Sequence, residues 1–514
     1  MGEKTMRRLK TTQLEIILQG AIVGIIAGGV VSGFRWAIAT GLTFVRAGYQ
    51  HFSWPRLGLV VMVSALTVWL LSRLLTREPG ISGSGIPQVE GQLQGELDYS
   101  WWSVLWRKFV GGILAIAPGL FLGREGPSIQ LGAAVGQGFA EIGHAPARRR
   151  RIMIASGAAA GLSAAFNAPI AGTLFVLEEV YHNFSPVIWL SGLTSALTAN
   201  FVSAYIFGQT PVLHLIYAHS LPLNLYWHLL VLGVILGLMG RLYQSVLLAM
   251  PKAYQQLHLP QRFWGIVPFL LMIPLGFWRP ALLGGGNAII VSFNAAIPSI
   301  AVLAGMLIIR FVFSMVAYGS GLPGGIFLPI LSLGAIIGAL YGQIMVAWHW
   351  LPQTYVINLI IFSMAAYFAA IGKAPFTAIL LVTEMVGSLR HLMPMAVLSL
   401  VAYAIVDVLR GAPIYESLLK RLLPAAPDDG PMQQVDLTVF AGTKLAESLV
   451  GAVSWPAQTL LIRIQRGEQM LVPNGQTKIQ AGDLLRFQTR PNQVRQLRQL
   501  VNRPAEDGQD GPRV

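Results

Sequence analysis

Three glycine-rich islands interrupt the hydrophobic stretches of this chain: GSGIP at residues 83–87, GREGP at 123–127 and GGIFLP at 324–329. Each island lies beside or inside an apolar segment and precedes residues that can begin a helix. A helix that begins at membrane depth exposes backbone N–H groups without intrahelical partners, and its N-terminus carries partial positive charge. Three such helix starts that converge on one point would bind an anion without any basic side chain. The islands therefore predict an anion pathway.

The composition is that of a membrane protein. Of the 514 residues, 54% are hydrophobic and only 11% are charged, whereas a soluble chain carries about 25% charged residues. Several apolar runs approach the roughly 20 residues that span a bilayer, among them 16–39, 57–75, 189–207, 229–250, 300–316 and 393–408. Two others, 169–180 and 375–386, are too short to span and are bounded by proline. A mixture of full and half-length helices is typical of transporters.

The formal charge of +14 is explained by basic residues in the loops. Basic residues gather in short loops and at helix ends, for example Arg107, Lys108 and the run 148–151, and such a bias marks cytoplasmic loops. We therefore expect a cytoplasmic N-terminus (residues 1–13), cytoplasmic loops and no nucleic-acid partner. The first apolar run is too long for a signal-peptide core and lacks a small-residue cleavage site, so it is not a secretory signal. The absence of cysteine excludes disulfides, thiolate metal sites and cysteine nucleophiles.

An internal repeat is visible in two pairs of segments. NAPIAGTLFVLE at 167–178 matches KAPFTAILLVTE at 373–384, and LGAAVG at 131–136 matches LGAIIG at 333–338. The nearly equal offsets and the shared order indicate duplication, with halves at about 18–207 and 226–422. In transporters built from such repeats the site lies at their interface near mid-membrane. The offsets alone do not show whether the second half is inverted.

The last part of the chain differs in composition. We interpret residues 423–432 as a linker. Residues 433–501 are polar, and their pattern predicts a small α/β domain. We expect strands at 435–440, 459–464 and 484–489, and helices at 443–450 and 491–501. The segment RGEQMLVPNGQTKIQAGDLLRF resembles the C-terminal module of potassium-uptake regulators, the TrkA-C type, which implies a possible small-molecule ligand. The tail 502–514 is expected to be disordered.

The islands, together with PIYESLL at residues 413–419, resemble the CLC family of chloride channels and chloride/proton exchangers. The resemblance covers about residues 18–422 and keeps the family's motif order. It implies an all-α polytopic membrane domain (14–422) of tilted, uneven helices in an inverted repeat, followed here by the small cytoplasmic α/β domain. It also implies a multi-pass protein of the cell (inner) membrane with both termini in the cytoplasm. We further expect a homodimer with one pathway in each subunit.

The anion site is predicted from four residues. Ser84 can be an N-cap, because proline follows in the first turn of a helix, or its hydroxyl can face an anion. The backbone N–H groups of Ile326 and Phe327 follow two glycines, which could instead serve only close helix packing. Tyr415 by itself would be an interfacial anchor. The resemblance implies that Ser84, Ile326, Phe327 and Tyr415 bind chloride, and that serine instead of proline at position 84 favours chloride over nitrate.

Glu125 is an ionisable residue in an apolar segment, and such a residue is a functional candidate by default. It could also interact with the helix dipole or pair with Arg124. A carboxylate at that helix start occupies the field that would hold chloride, so the two would compete, and protonation of Glu125 would release the site. The resemblance identifies Glu125 as the gate and outer proton acceptor.

Glu178 and Glu179 close the segment 169–180. An ordinary acidic helix end explains them equally well from sequence alone. The resemblance implies that Glu179 is the inner proton acceptor of an exchanger, since channels of the family commonly have an apolar residue there. Asn183 lies near the same region without an assigned role. We interpret His144, His182, His214 and His228 as loop residues and predict no metal site.

The activity predicted is therefore secondary active exchange of chloride for protons, without cofactor or covalent chemistry. The alternative is a passive voltage- or pH-gated chloride channel, which would share every anion-site residue. A fluoride exchanger is disfavoured by Ser84 and the GREGP form. An intramembrane hydrolase would need a matched pair of catalytic groups, which Asp98 and Asp407 do not provide. A cation uptake system lacks a TVGYG-type filter.

Overall fold

The computed structural model describes residues 3–181, 185–215, 219–423, 431–439, 443–466 and 469–501. Two compact units can be distinguished, one of which comprises almost all of the chain up to Lys420, and the other the described residues from Arg421 onward. His182 and Asn183, most of the expected linker and the tail 502–514 lie outside the described residues.

The first unit is helical. Its helices are α1 (Glu3–Gly48), α2 (Trp54–Arg77), α3 (Ile86–Gln94), α4 (Trp101–Ile116), α5 (Glu125–Ile142), α6 (Ala147–Phe166), α7 (Pro169–Phe175), α8 (Pro186–Phe207), α9 (Trp227–Gln255), α10 (Ile266–Trp278), α11 (Asn287–Ser292), α12 (Ile300–Gly319), α13 (Phe327–Ala347), α14 (Val356–Gly372), α15 (Pro375–Val386), α16 (Leu392–Val408) and α17 (Ile414–Leu422). The three glycine-rich islands immediately precede or begin α3, α5 and α13.

Within the described residues, eight helices are long and apolar enough to cross a membrane. Six of them contain the apolar runs named from the sequence. The other two, Phe327–Ala347 and Gln353–Gly372, have the most buried windows of the eight, so they lie inside the helical unit and not at its periphery. The chain is therefore a multi-span membrane protein.

The two half-length helices α7 and α15 are antiparallel and cap each other. Glu384, near the C-terminal end of α15, accepts hydrogen bonds from the α7 amides of Ile170 (3.2 Å) and Ala171 (2.8 Å). Glu178, just after α7, accepts from the α15 amides of Phe376 (3.3 Å) and Thr377 (2.7 Å). Each carboxylate therefore neutralises the N-terminus of the opposite helix. Because the repeat-equivalent glutamates exchange partners in this way, the second half of the chain is inverted relative to the first.

Other repeat-equivalent positions share their geometry. Asn167 and Lys373 both have left-handed backbones (φ 55° and 61°) at the ends of α6 and α14. In α5, a Cβ on Gly132 would lie 2.0 Å from the carbonyl oxygen of Gly157 in α6. In α13, a Cβ on Gly334 would lie 2.6 Å from the carbonyl oxygen of Ser363 in α14. The two LGA motifs therefore form the small-residue contacts by which equivalent helix pairs pack.

The reciprocal caps lead to a stability prediction. Glu384→Ala removes the acceptor for two amides of α7, and the loss of an N-cap costs about 1 kcal/mol. We expect a lower thermal unfolding midpoint of the purified protein in detergent. Glu15→Ala, which removes an exposed carboxylate paired with Arg149, is the matched control and should leave the midpoint nearly unchanged. An equal midpoint for Glu384→Ala and wild type would show that the caps do not stabilise the fold.

The second unit contains a four-stranded antiparallel sheet in the order β1-β4-β2-β3. Its elements are β1 (Gln433–Thr438), β2 (Leu460–Arg466), β3 (Gln469–Leu471), β4 (Leu484–Thr489) and α18 (Pro491–Val501). Leu485 and Phe487 alternate inward along β4 and form a small core with Leu497 of α18. Asp483, from the GD pattern noted in the sequence, is buried and binds Arg466 through two hydrogen bonds of 2.8 and 2.9 Å. This unit thus has its own core.

The expected helix at 443–450 is wrong. The amides of Glu447 and Val450 donate to the carbonyls of Ile479 and Thr477, respectively, and Glu447 has a left-handed backbone (φ 73°). Pairing with the 477–479 segment therefore replaces the i to i−4 bonds of a helix. The apolar residues that suggested helical periodicity, such as Leu445, instead point into the core of the second unit.

The burial of His228 and the exposure of Asp98 and Asp407 bear on two further expectations from the sequence. His228 is not a loop residue, since it lies buried in α9 and bonds to Tyr341 Oη (2.9 Å) and the Trp350 carbonyl (3.3 Å). Asp98 and Asp407 are largely exposed and pair separately with Arg150 and Lys373. The two aspartates therefore form no catalytic dyad.

Candidate functional site

Backbone hydrogen bonds join the three glycine-rich loops that precede α3, α5 and α13. We call residues 80–85, 119–124 and 320–326 the first, second and third loop. Gly123 and Gly325 exchange two N–H···O bonds of 2.7 Å, which tie the second loop to the third. Gly324 donates to the Gly83 carbonyl (2.9 Å), which ties the third loop to the first. The starts of the three helices therefore lie together, and their free amides share one region.

Glycine is required where these loops touch. Gly85 has φ +89°, and a Cβ there would also lie 2.3 Å from the side-chain oxygen of Gln130. A Cβ on Gly126, in the first turn of α5, would fall 2.8 Å from the Cβ of Ser84. Because no side chain fits between them, the first and second loops approach at backbone distance. The glycines of the islands therefore do more than interrupt helices: they allow the loops to come into contact.

The carbonyls of the first loop are held by buried side-chain donors. Lys108 Nζ donates to the carbonyls of Ile81 and Gly83, both at 2.8 Å. Gln130 Nε2 donates to the Gly80 carbonyl (2.8 Å) and Gln88 Nε2 to the Ser82 carbonyl (2.8 Å). Carbonyl oxygens repel an anion, so their engagement elsewhere removes groups that would oppose anion binding. The amides of Ile81, Ser82 and Gly83 also donate to backbone carbonyls, so the end of the loop, at Ser84, is the part that can face an anion.

The structure corrects the sequence interpretation of Lys108. The sequence predicts a basic residue of a loop or helix end, but Lys108 lies within α4 and is fully buried. An amine at such depth is tolerated because it donates hydrogen bonds to two carbonyls. Composition and spacing carried no signal for this role, since the partners are 25 and 27 residues away in the chain.

Ser84 lies at the end of the first loop and is 1% exposed. Its Oγ accepts a hydrogen bond from the backbone N–H of Ile86 (3.3 Å). This is the interaction of an N-cap, but it occupies only one lone pair of the hydroxyl. The O–H donor remains available for another partner, so capping and anion binding are compatible at this residue.

Glu125 is the first residue of α5 and is fully buried. A Cβ on Gly123 would lie 2.4 Å from Oε2 of Glu125 and 3.3 Å from the Leu328 amide nitrogen, so the carboxylate is close to the starts of α5 and α13. Within the described residues, neither carboxylate oxygen has a hydrogen-bond partner. The guanidinium Nε of Arg124 is 3.8 Å from Oε1, which is too long for a charge-assisted hydrogen bond. The carboxylate therefore occupies the field of two helix N-termini, where a free anion would also be stabilised.

Ile326 and Phe327 lie at the start of α13 and are almost fully buried. Their amides belong to the first turn, where no carbonyl of the same helix is available. The Phe327 ring packs against Phe368 and Phe166, with ring centroids 4.2 and 5.4 Å apart. The helix start is therefore surrounded by apolar rings, which lower the local dielectric and strengthen the attraction of the amides for negative charge.

Tyr415 lies in the first turn of α17 and is fully buried, so it is not an interfacial anchor. Its ring contacts Phe175 edge-on, with centroids 6.2 Å apart, and Phe175 in turn contacts Phe327. Within the described part of the chain its hydroxyl has no hydrogen-bond partner. A buried hydroxyl without a partner is costly. The hydroxyl is therefore a donor available to a ligand at the start of α17.

Glu178 and Glu179 have different environments although they are adjacent. Glu178 caps α15, as described above, whereas Glu179 is 4% exposed. A π-helical turn, Val176–Val180, continues α7 at this point, and such turns are frequent at functional sites. Glu179 is near Glu90 of α3 and Glu416 of α17. Glu90 is fully buried, and the sequence carries no signal for this, because Glu90 has the pattern of an ordinary residue in a short helix.

Two family models match the chain. Residues 60–407 match the voltage gated chloride channel model, and 435–502 match the TrkA-C domain. The chain is 34% identical over 438 residues to the H(+)/Cl(-) exchange transporter ClcA of Salmonella typhimurium, and the match covers 82% of this chain and 91% of that protein.

Solved structures show the same fold. A slow cyanobacterial Cl-/H+ antiporter is similar with a TM-score of 0.74 and 31% identity, and the match covers 79% of this chain and 98% of the other. A CLC-type fluoride/proton antiporter is similar in fold, with a TM-score of 0.66 and 23% identity over 77% of this chain and 96% of the other. On the evidence of the loops, the inverted repeat and these matches, the chain belongs to the voltage gated chloride channel family, the CLC family.

Proposed function

We propose that this protein is a secondary active antiporter that moves chloride across the membrane in exchange for protons. One observation carries the proposal: the carboxylate of Glu125 lies in the field of the helix starts that three hydrogen-bonded glycine loops bring together. A proton acceptor therefore lies within the region that would bind the anion. The relatives described above, which include an exchange transporter and an antiporter for chloride and protons, support this substrate pair.

The central anion site consists of the Ser84 and Tyr415 hydroxyls and the amides of Ile326 and Phe327. All four residues are buried, and none of them carries a charge. Neutral donors and helix dipoles bind the anion without the deep trap that a buried lysine or arginine would create. An ion can therefore enter and leave at a useful rate.

Glu125 couples the two ions by competition. When it is ionised, its carboxylate occupies the field of the helix starts and excludes an anion by like-charge repulsion. When it is protonated, the charge is lost, the side chain can leave, and chloride can bind. The side chain that gates chloride is thus also the outer proton acceptor.

Glu179 is the inner proton acceptor in this proposal. It is almost fully buried, and Glu90 and Glu416 are close enough to act on it electrostatically. Glu178 is engaged with the α15 amides and is not proposed as a proton acceptor. The Glu179 carboxylate favours an exchanger over the alternative, a passive chloride channel gated by voltage or pH, because a channel needs no inner proton acceptor.

The exchange activity is tested by driving chloride with protons. Liposomes that contain the purified protein receive equal chloride on both sides, an acidic interior, and valinomycin with equal potassium to hold the voltage at zero. An exchanger should accumulate labelled chloride inside while protons leave. A channel would show only equilibration of the label, and that result would reject the proposal.

The chloride preference is expected to depend on Ser84. Ser84→Pro removes both the hydroxyl and the backbone N–H, and a hydrogen bond to a charged partner contributes about 1.5 kcal/mol, or about tenfold in affinity. The chloride/nitrate flux ratio should fall accordingly. Ser82→Ala changes a hydroxyl of the same loop that donates to Gly321, so it should keep the wild-type ratio. An unchanged ratio in Ser84→Pro would remove this residue from the site.

We further propose the domain boundaries 14–422 for transport and 433–501 for a TrkA-C-like regulatory domain with a small-molecule ligand. A chain that ends after Pro427 is expected to retain chloride/proton exchange, because the second unit has its own core. Flux in liposomes with and without this truncation is the measurement. Loss of transport in a truncated protein that still elutes as a single folded species would show that the domain belongs to the transport machinery.

The assembly proposed is a homodimer in the cell (inner) membrane with both termini in the cytoplasm. The dimer is proposed because a homodimer is typical of the CLC family, to which the chain belongs. Light scattering of the detergent complex should give twice the mass of the 55.7 kDa chain. The mass of a single chain would contradict the dimer.

A further inference from the structure

A fourth glycine-rich loop, residues 282–286, directly precedes α11 and has no role in the site described above. We call it the fourth loop. Gly284 in it donates a hydrogen bond to the Gly119 carbonyl of the second loop (2.7 Å). In the same way, Gly83 of the first loop donates to the Gly321 carbonyl of the third (3.3 Å). Because Gly119 and Gly321 are separated by the same offset as the two LGA motifs, the inverted repeat builds two equivalent loop pairs, the first loop with the third and the fourth with the second.

A buried basic side chain holds one loop of each pair. In the first half of the chain it is Lys108, which donates to two carbonyls of the first loop. The repeat-equivalent position of the second half is occupied by Arg310 of α12, which is also fully buried. It donates to three carbonyls of the fourth loop, those of Leu282 (3.2 Å), Gly284 (2.8 Å) and Gly285 (2.5 Å). Because a guanidinium presents several donors in a rigid plane, one side chain fixes the backbone of most of this loop.

The same guanidinium also contacts the second loop, which directly precedes Glu125. Its central carbon lies 4.6 Å from the ring centroid of Phe121. The fourth loop itself reaches two neighbours of the gate, since a Cβ on Gly285 would lie 3.2 Å from the Leu122 carbonyl oxygen and 3.0 Å from the Leu328 side chain. The Leu328 amide is close to the Glu125 carboxylate, as described above. The fourth loop therefore packs against the residues that surround this carboxylate.

We propose that Arg310 is a positioning residue for the outer gate: it holds the fourth loop against the second loop and the start of α13, so that the ionised Glu125 carboxylate closes the pathway to chloride. The inference rests on the proposed function in that Glu125 is the gate. The two buried basic residues thus have separate tasks. Lys108 holds the loop that carries Ser84 and serves anion binding, whereas Arg310 holds the loops around Glu125 and serves gating.

Arg310→Met is expected to loosen the coupling between chloride and protons. Methionine is long and flexible but donates no hydrogen bond, so three carbonyls of the fourth loop lose their donor. A gate that closes less tightly lets chloride pass without a proton. The chloride/proton flux ratio in liposomes should rise about threefold to tenfold, the factor that corresponds to one neutral hydrogen bond. Isothermal titration of the purified full-length protein should give a chloride affinity close to that of the wild type, because the first loop remains in place.

Lys108→Met provides the opposite pattern. It makes the equivalent change in the other loop pair, so it should weaken chloride binding about tenfold, the factor for the loss of a hydrogen bond with a charged group. Arg310→Lys should restore the wild-type flux ratio, since Lys108 shows that a lysine can hold two carbonyls of such a loop. Arg279→Met is the matched control, because it makes the same change in an exposed arginine shortly before the fourth loop. It should leave both the flux ratio and the chloride affinity unchanged.

Arg310→Gln is the second variant should Arg310→Met fold poorly. Its amide supplies two N–H donors, which serve two carbonyls at most, so the flux ratio should rise by less than in Arg310→Met. A wild-type flux ratio in the folded variant would overturn the assignment. A loss of chloride affinity as large as that in Lys108→Met would also overturn it, because Arg310 would then support the anion site and not the gate. A wild type without proton transport would reject the exchange function itself, whereas a coupled wild type with an unchanged ratio in the variant rejects this inference alone.

Discussion

Glu125→Gln is expected to keep downhill anion flux, abolish proton coupling and remove the response of flux to external pH. Glutamine has nearly the shape of glutamic acid but carries no charge and does not titrate. It therefore resembles the protonated gate, which no longer competes with chloride for the helix starts of α5 and α13. The buried carboxylate beside the Leu328 amide is the structural basis of this expectation.

Chloride efflux and proton uptake should be measured in parallel in liposomes that contain this variant. Glu141→Gln is the matched control, because it makes the same chemical change at the exposed end of the same helix, where Glu141 pairs with Arg150. The control should retain coupling and pH dependence. Proton uptake against a gradient by Glu125→Gln would show that the outer proton acceptor is a different residue.

Glu179→Val is expected to retain chloride flux and lose proton transport almost completely. The residue is buried at the π-helical end of α7, and valine cannot carry a proton there. The anion-site donors come from α13, α17 and the loop before α3, so they remain in place. In contrast with Glu125→Gln, this variant should still respond to external pH, because its outer gate is intact.

The adjacent glutamate provides the control for this variant. Glu178→Gln changes the carboxylate that caps α15 and should lower thermal stability while proton coupling persists. If Glu178→Gln lost coupling and Glu179→Val kept it, the assignment of the two glutamates would be reversed. If both variants kept it, the proton route would not pass this end of α7.

The broken helices and their positions could be predicted from the sequence, because glycine and proline determine backbone conformation locally. The islands and the short proline-bounded helices follow from backbone chemistry within a few residues. The repeat could be recognised from the sequence because Glu178 and Glu384 occupy equivalent positions in the two matching segments. Its inversion became evident only from the exchange of caps between α7 and α15, which is a contact over about two hundred residues.

The supporting side chains could not be predicted in the same way. Lys108 resembles any basic residue of a loop until its two carbonyl partners in the first loop are known. The segment 443–450 had helical periodicity, but pairing with residues 477–479 determined its conformation. Local pattern identifies where an ion can bind, whereas the groups that hold the site rigid depend on tertiary contacts.

Chloride-driven proton uptake by the wild-type protein tests the central claim most directly. Liposomes loaded with high chloride are diluted into low chloride, with valinomycin and potassium to set the voltage and the same pH on both sides. We predict that chloride efflux draws protons inward against the gradient that builds up, so that the external pH rises and returns when a protonophore is added. Chloride efflux with no change in external pH would contradict the account, because the protein would then be a channel and Glu179 an ordinary helix-end carboxylate.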